Sequence, residues 1–211
     1  MNILKKDNYI TASCIISDHV VYKNGSTLFE NKDASPADFL LAVYRHFKID
    51  YPKFYKMDNL SKLGWLTTEI LLKDSSFKNK YDPEAIGVVL SNASSSLDTD
   101  IKYYASVKEI PSPALFVYTL PNIVIGEICI RHNFKGENAF FVFDEFNAVF
   151  IENYVSNLIN NNILQSCICG WVELLGDQYR SVLFLVEKEQ AGQSILFTKE
   201  NINKIYQLEN G

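Results

Sequence analysis

The chain has 211 residues, of which 47% are hydrophobic and 21% charged, and its formal net charge is −5. This length and apolar content allow a substantial core and predict a single domain spanning residues 1–211. The mild acidity and the lack of any cluster of Lys and Arg argue against a nucleic-acid partner, which would require basic residues gathered on one face.

The sequence carries neither a membrane-spanning pattern nor an export pattern. No apolar segment approaches the roughly 20 residues that cross a bilayer. Residues 1–7, MNILKKD, lack the pattern of a secretory signal. We therefore expect a cytoplasmic protein with no membrane partner.

The first third of the chain contains clear local signals. Residues 9–16 are rich in β-branched side chains and predict a buried strand, and Asn24-Gly25 predicts the tight turn of a hairpin arm. Ser35 precedes a proline, which predicts a helix with Ser35 as its N-cap. A second helix is expected after Asp58.

The middle of the chain predicts a strand, a loop and a helix. The apolar run at residues 85–90 is typical of a strand inside a helix-covered sheet, and the polar loop at 91–98 lacks the glycine and lysine of a phosphate-binding loop. Residues 120–133 predict a helix that is apolar nearly all round. Gly126 in its middle predicts close approach of another element, since such a glycine costs about 1 kcal/mol relative to alanine. Glu127 is costly to bury, and two positions stay open for it: the surface or a pocket edge, or the wall of a ligand tunnel.

Five aromatic rings follow within eleven residues. Gly136 is expected to form the left-handed turn that ends the preceding helix, and the rings come directly after it. They are Phe140, Phe141, Phe143, Phe146 and Phe150. So many rings are hard to hide in one small domain, and we favour a subunit interface over a place in the core.

A helix is predicted from Glu145 to Asn162, with a polar side facing away from an apolar side. Asp144 and Glu145 at its start are explained by helix capping and by the favourable field at a helix N-terminus, while a functional role stays open. Three strands, at residues 167–174, 180–186 and 194–197, and a short final helix at 201–208 complete the prediction.

The four cysteines, Cys14, Cys129, Cys167 and Cys169, all lie in apolar surroundings. Buried reduced thiols are therefore expected. Cys167 and Cys169 alternate on a predicted strand and face the same side of it. A zinc site there would need two further ligands, which the sequence does not offer.

Residues 112–173 carry a series of motifs with a characteristic spacing. Ser-Pro-x-x-Phe-Val-x-x-Leu-Pro-Asn covers residues 112–122, Lys-Gly-x-Asn covers 135–138, and Gly-x-x-Glu covers 170–173. This series resembles the N-terminal half of a β-ketoacyl synthase, and Met-Asp-x-x-Ser at 57–61 resembles a further segment of that family. The resemblance implies an α/β, thiolase-like half-fold, in which helices pack on a mixed, mostly parallel β-sheet.

The resemblance also decides what chemistry to expect. In that family the nucleophilic cysteine stands at the corner where a strand becomes a helix, and counting from Gly136 places Glu145 there. A carboxylate does not serve as a lasting acyl acceptor. The basic residues that assist the reaction belong to the family's C-terminal half, which 211 residues do not reach, and none of the three histidines lies in a matching context. We therefore expect no catalytic residue, no metal, no cofactor and no ketosynthase activity.

The function implied is that of a chain-length-factor-type subunit, as in type II polyketide and aryl-polyene systems. Such a subunit pairs with an active ketosynthase, and indirectly with an acyl carrier protein, during acyl chain elongation. The expected interface residues are Phe140, Phe141, Phe143 and Phe146, and the candidate acyl-pocket residues are Leu120, Ile123, Glu127 and Glu145. Two alternatives stand beside it: a homodimer that holds an acyl chain or carrier protein without chemistry, and a thioester hydrolase or decarboxylase with Glu145 as general base.

Overall fold

The computed structural model describes residues 7–75, 77 and 80–208, so the N-terminal segment on which the export prediction rests lies largely outside the described residues. The strands are β1 (Tyr9–Ser17), β2 (Val20–Lys23), β3 (Ser26–Glu30), β4 (Ile86–Asn92), β5 (Asn138–Val142), β6 (Ser166–Leu175), β7 (Gln178–Glu187) and β8 (Ile195–Leu196). The helices are α1 (Pro36–His46), α2 (Asn59–Leu72), α3 (Leu97–Val107), α4 (Pro113–Phe116), α5 (Ile123–His132), α6 (Ala148–Asn160) and α7 (Lys199–Tyr206). None of the helices in these ranges is long and apolar enough to cross a membrane.

One sheet organises all eight strands, in the order β3-β2-β1-β7-β6-β4-β5, with β8 paired to β1. The α/β, mixed-sheet prediction is confirmed, but the expectation of mostly parallel pairing is wrong. Only β4–β5 and β4–β6 pair in parallel, while β1–β2, β1–β7, β1–β8, β2–β3 and β6–β7 are antiparallel. β7 returns from β6 through a tight turn and so runs antiparallel to both β6 and β1, while short turns make β1–β2 and β2–β3 antiparallel hairpins.

Several local predictions are confirmed by the backbone and its caps. Asn24 and Gly25 have φ angles of 50° and 78°, the left-handed pair that a two-residue hairpin turn requires. The Ser35 side chain accepts a hydrogen bond from the Asp38 amide at 3.2 Å, and α1 begins directly after it. Asp58 caps α2 in the same way.

Helices cover both faces of the sheet. On one face α1, α2 and α5 bury a large apolar cluster against β1, β4 and β6. On the other face α6 and α7 bury a second cluster. All seven residues of β4 are buried, because this strand lies inside the sheet with helices above and below it.

Two glycines act differently from the prediction. The left-handed residue that ends α5 is Asn133, with φ 58°, and not Gly136. Gly136 instead permits a close approach, because a Cβ there would stand 2.4 Å from the carbonyl oxygen of Ile86. Gly126 was expected to make room for a neighbour, yet a Cβ there would meet nothing within 4 Å.

The helix after the corner begins later than predicted. α6 starts at Ala148, and its cap is Asn147, whose Oδ1 accepts a hydrogen bond from the Phe150 amide at 2.9 Å. The predicted polar side of this helix is partly covered by α7. Glu152, 7% exposed, accepts a hydrogen bond from the Lys199 amide at 2.9 Å. The C-terminal helix therefore closes a face that the sequence pattern assigned to solvent.

Candidate functional site at the corner between β5 and α6

The corner that follows β5 carries Glu145. β5 is the last strand of the sheet, and the chain bends after it through residues 143–147 before α6 begins. The Phe143 amide donates to the Asn92 carbonyl at 3.0 Å, which ties the start of the corner to the end of β4. Glu145 itself is exposed and precedes the helix cap by two residues, so it is not the helix-capping residue that we expected.

Glu145 lines a cavity of about 560 Å³. The cavity lies where β1 and β6 end and β7 begins. Its walls come from the β1–β2 turn, the corner, β6, the β6–β7 turn, β7 and α7. The lining side chains that carry charge or a ring are Asp18, His19, Asp144, Glu145, Phe146, Trp171, Glu173, Asp177, Tyr179, Arg180 and Tyr206. Ligands of open α/β sheets bind at such strand ends.

Glu173, the last residue of the Gly-x-x-Glu motif, joins this cavity to the loop after β4. Its Oε2 accepts hydrogen bonds from the amides of Ala93 and Ser94 at 2.6 and 3.1 Å. Its Oε1 is buried without a hydrogen-bond partner in the described part of the chain. The motif's first residue, Gly170, has φ 147°, and a Cβ there would stand 2.0 Å from the Val182 carbonyl oxygen. The glycine therefore permits the close β6–β7 pairing that carries Glu173 to its position.

Aromatic rings form the opposite wall. Phe146 stacks on Tyr206 of α7 with ring centroids 4.4 Å apart, and the Arg180 guanidinium lies 4.8 Å from the Tyr206 ring centre. Arg180 also donates to the Tyr206 carbonyl oxygen. Burial raises the pKa of Tyr179 to about 12, so this hydroxyl is neutral at physiological pH. The α7 contacts are what close the cavity on this side.

The candidate acyl-pocket residues do not all come together. Leu120, Ile123 and Glu127 do not line the cavity that contains Glu145. Leu120 is 58% exposed, whereas Glu127 is only 4% exposed. Glu127 accepts a hydrogen bond from the Tyr118 hydroxyl at 3.1 Å, and the Lys53 Nζ lies 2.6 Å from its Oε2. The surface position that we considered for Glu127 is therefore wrong, because two partners compensate its burial.

The four expected interface rings are half-buried and pack within the protein. Phe140 packs against the α5 side of the core, whereas Phe141 contacts α6 on the other face. The Phe143 ring stacks on Phe141 at 6.0 Å, and Phe146 packs on Trp171 and Tyr206. Among the described residues β5 pairs only with β4, so its outer backbone edge is open. The side chain of Val142 on this strand is also exposed.

Sequence reasoning missed an exposed apolar arm formed by α3 and α4. Its side chains include Ile110 at 84% exposure and Tyr104 at 70%. Other strongly exposed members are Ile101, Phe116, Val117 and Leu120. The signal was present as an apolar stripe at positions 97, 101 and 104 of α3, the spacing of one helix face.

The thiols lie away from the corner. Cys14, Cys167 and Cys169 are fully buried, and Cys129 is half-buried. Burial raises the pKa of Cys129 to about 11 and raises the pKa of Cys14 and of Cys169 as well. Thiols with raised pKa values are poor nucleophiles, because the thiolate is the reactive form. Within the described ranges, no group of three or more His, Cys, Asp or Glu side chains is arranged to hold a metal ion.

Comparison with known proteins identifies the fold. No protein-family model matches the sequence, and no curated protein is significantly similar to it. Solved structures do match: a chain of the ishigamide ketosynthase/chain length factor superposes with a TM-score of 0.63 at 18% identity, over 89% of this chain and 63% of that one. The chain has a thiolase-like fold, that of ketosynthases and chain length factors.

Two further structures give the same result. A chain of the complex between a ketosynthase and its chain length factor from Xenorhabdus doucetiae matches with a TM-score of 0.56 and 12% identity, over 89% of this chain and 80% of that one. A β-ketoacyl synthase from Burkholderia phymatum matches with a TM-score of 0.58 and 13% identity, over 87% of this chain and 59% of that one. The thiolase-like chain thus spans less than two thirds of the ishigamide and Burkholderia chains.

Proposed function

We propose that this chain is a non-catalytic, chain-length-factor-type subunit that pairs with an active ketosynthase during acyl chain elongation. The observation that carries the proposal is Glu145. It stands at the corner between an edge strand and a helix, which is the place where the resemblance puts the nucleophilic cysteine. A carboxylate there does not hold an acyl group.

The thiols support a non-catalytic role. Three of the four cysteines are fully buried, and none lines the cavity beside Glu145. The raised pKa values of Cys14, Cys129 and Cys169 keep these thiols protonated at neutral pH. A covalent acyl-enzyme would need a thiolate within reach of substrate.

Two surfaces support a protein partner. The outer edge of β5 offers unpaired backbone groups, and unprotected edges of this kind pair readily with another strand. The α3–α4 arm exposes a set of large apolar side chains, and grouped exposure of this kind marks interaction sites. The interface role proposed for the four phenylalanine rings is then indirect, because they pack within the protein and support β5 rather than contact the partner. These rings are Phe140, Phe141, Phe143 and Phe146.

A homodimer is the second candidate, and the open edge of β5 favours it as well. An exposed edge can pair antiparallel with the same strand of a second copy. In that case the chain would hold an acyl chain or an acyl carrier protein without chemistry. Light scattering on the isolated chain separates the two: a heterodimer subunit stays monomeric until a ketosynthase is added.

The test is co-purification of the tagged chain with the full-length ketosynthase from the same organism. Val142→Lys on β5 should weaken the complex at least about fivefold, which corresponds to a loss of about 1 kcal/mol at the interface. Leu28→Lys is the matched control, because Leu28 is an exposed apolar residue of β3, the strand at the opposite edge of the sheet. A complex that tolerates both changes equally would rule out the β5 interface, and a chain that binds no ketosynthase would remove the proposal.

A further inference from the structure

The cavity beside Glu145 is open to solvent and strongly acidic. Five carboxylates line it, from Asp18, Asp144, Glu145, Glu173 and Asp177. Within the described ranges none of the five is in an ion pair. Among the described lining residues, Arg180 carries a positive charge. A positive group placed among these carboxylates would be attracted to them.

An independent feature points to a missing hydrogen-bond donor. Glu173 Oε1 is buried and unpartnered, although the other oxygen of the same carboxylate takes two backbone amides. Buried polar atoms are nearly always satisfied, and this carboxylate oxygen in the wall of the cavity indicates a ligand that supplies an N–H group.

The remaining walls are aromatic, which narrows the class of ligand. Trp171 and Tyr179 are almost fully buried, while Phe146 and Tyr206 stack on each other beside them. The chain's own Arg180 already lies against the Tyr206 ring. Rings and carboxylates together recognise a guanidinium or ammonium group, through cation–π attraction and charge-assisted hydrogen bonds.

We infer that this cavity binds the guanidinium or ammonium head of an organic cation, with the carboxylates of Glu145 and Glu173 as its acceptors. The inference concerns the isolated chain and holds whether or not a ketosynthase is its partner. The cation has two sources, a basic side chain of another protein or a free small molecule. Both present the same chemistry to the cavity.

The test is an NMR titration of the isolated chain with butylguanidinium. The protein has two tryptophans, so the Trp171 indole signal reports on the cavity while that of Trp65, buried in the core, serves as an internal control. The Trp171 signal should shift saturably with butylguanidinium, and the affinity should fall in high salt. Butylurea, the neutral analogue of the same shape, should bind at least about tenfold more weakly, since it lacks the charge.

Variants assign the binding to the two carboxylates. Glu145→Gln combined with Glu173→Gln should weaken the binding of butylguanidinium at least about tenfold. Glu84→Gln combined with Glu109→Gln changes the net charge equally at exposed positions outside the cavity, and its affinity should stay within about twofold of the wild type. Glu145→Gln alone should weaken butylguanidinium binding by about threefold. Because Glu145 is exposed, this single variant should fold normally, so it still tests the inference if the double variant fails to fold.

Further probes separate the two sources. If an acetyl-Gly-Arg-Gly-amide peptide binds at least as tightly as butylguanidinium, the cavity receives a protein side chain. If spermidine binds and the peptide does not, a free small molecule is the ligand. The inference is overturned if no cation shifts Trp171 saturably, if butylurea binds as well as butylguanidinium, or if the double cavity variant binds like its control.

Discussion

Replacing Gly170 by alanine should destabilise this protein strongly, and the structure gives the reason. Gly170 lies within β6 with φ 147°, a backbone conformation that is essentially restricted to glycine. A Cβ at this position would stand 2.0 Å from the Val182 carbonyl oxygen and 3.1 Å from its carbonyl carbon, both on the neighbouring strand β7. Neither the backbone nor the carbonyl can move without disturbing the pairing of the two longest buried strands.

The expected loss of stability has two contributions, the backbone strain at residue 170 and the steric clash with β7. Holding a residue with a side chain in this region costs about 1–3 kcal/mol, and displacing the β7 carbonyl should add a comparable amount. We therefore expect a loss of about 3 kcal/mol or more from a total stability of about 5–15 kcal/mol. For a chain of this size, that corresponds to a fall in melting temperature of about 6 °C or more.

Gly126→Ala is the matched control, because it makes the same chemical change in an opposite environment. Gly126 lies inside α5, and a Cβ there would meet nothing within 4 Å. Alanine should therefore raise the free energy of unfolding by about 0.5–1 kcal/mol, through better helix propensity alone.

Urea unfolding followed by circular dichroism measures both variants, with equal slopes as the check that the unfolded states are comparable. The steric reasoning fails if Gly170→Ala costs less than about 1 kcal/mol, or if Gly126→Ala destabilises the protein by more than Gly170→Ala does.

Three further predictions use other parts of the chain. The wild type and Glu145→Cys should both show no condensing activity on acyl and malonyl carrier-protein substrates, because the assisting basic residues of the resembling family lie beyond the segment that this chain matches; product from protein free of other synthases would contradict this. All four thiols should react slowly with a thiol reagent at pH 7, and Cys129 should react first as the pH rises towards its pKa of about 11, so a fast thiol at pH 7 would reopen covalent catalysis. Burial alone would raise the pKa of Glu69, but hydrogen bonds from His132 and Arg131 lower it below its ordinary value of 4.5; this contribution to stability is present above pH 4.5 and is lost as the pH falls through the lowered pKa. Glu69→Gln should therefore cost about 1–3 kcal/mol at pH 7 and progressively less in acid, and a pH-independent difference in unfolding free energy would refute the assignment.

The sequence by itself determined the elements that depend on local chemistry. Asn24-Gly25 dictated a hairpin because both residues tolerate positive φ, and Ser35 and Asp58 dictated helix starts because their side chains accept hydrogen bonds from amides three residues on. The motif spacing also placed Glu145 at a corner between a strand and a helix, and in the structure Glu145 lies between β5 and α6.

The tertiary structure decided everything that depends on residues far apart in the chain. The segment around Glu127 left two positions open for it, the surface or a pocket edge and the wall of a ligand tunnel, and only the fold brings Lys53 and Tyr118 to it and allows its burial. The polar side of α6 was assigned to solvent, and only the packing of α7 shows that Glu152 has a partner.

The cavity beside Glu145 is the clearest case of this division. Its walls come from six segments between residues 17 and 206; three of them are consecutive at residues 171–180, and the other three are distant from that stretch and from one another in the sequence. Local pattern fixes backbone conformation, because neighbouring residues share dihedral angles and hydrogen bonds. Which charges and rings face one another is fixed instead by sheet order, and in this chain that order joins β1 to β7 across more than 160 residues.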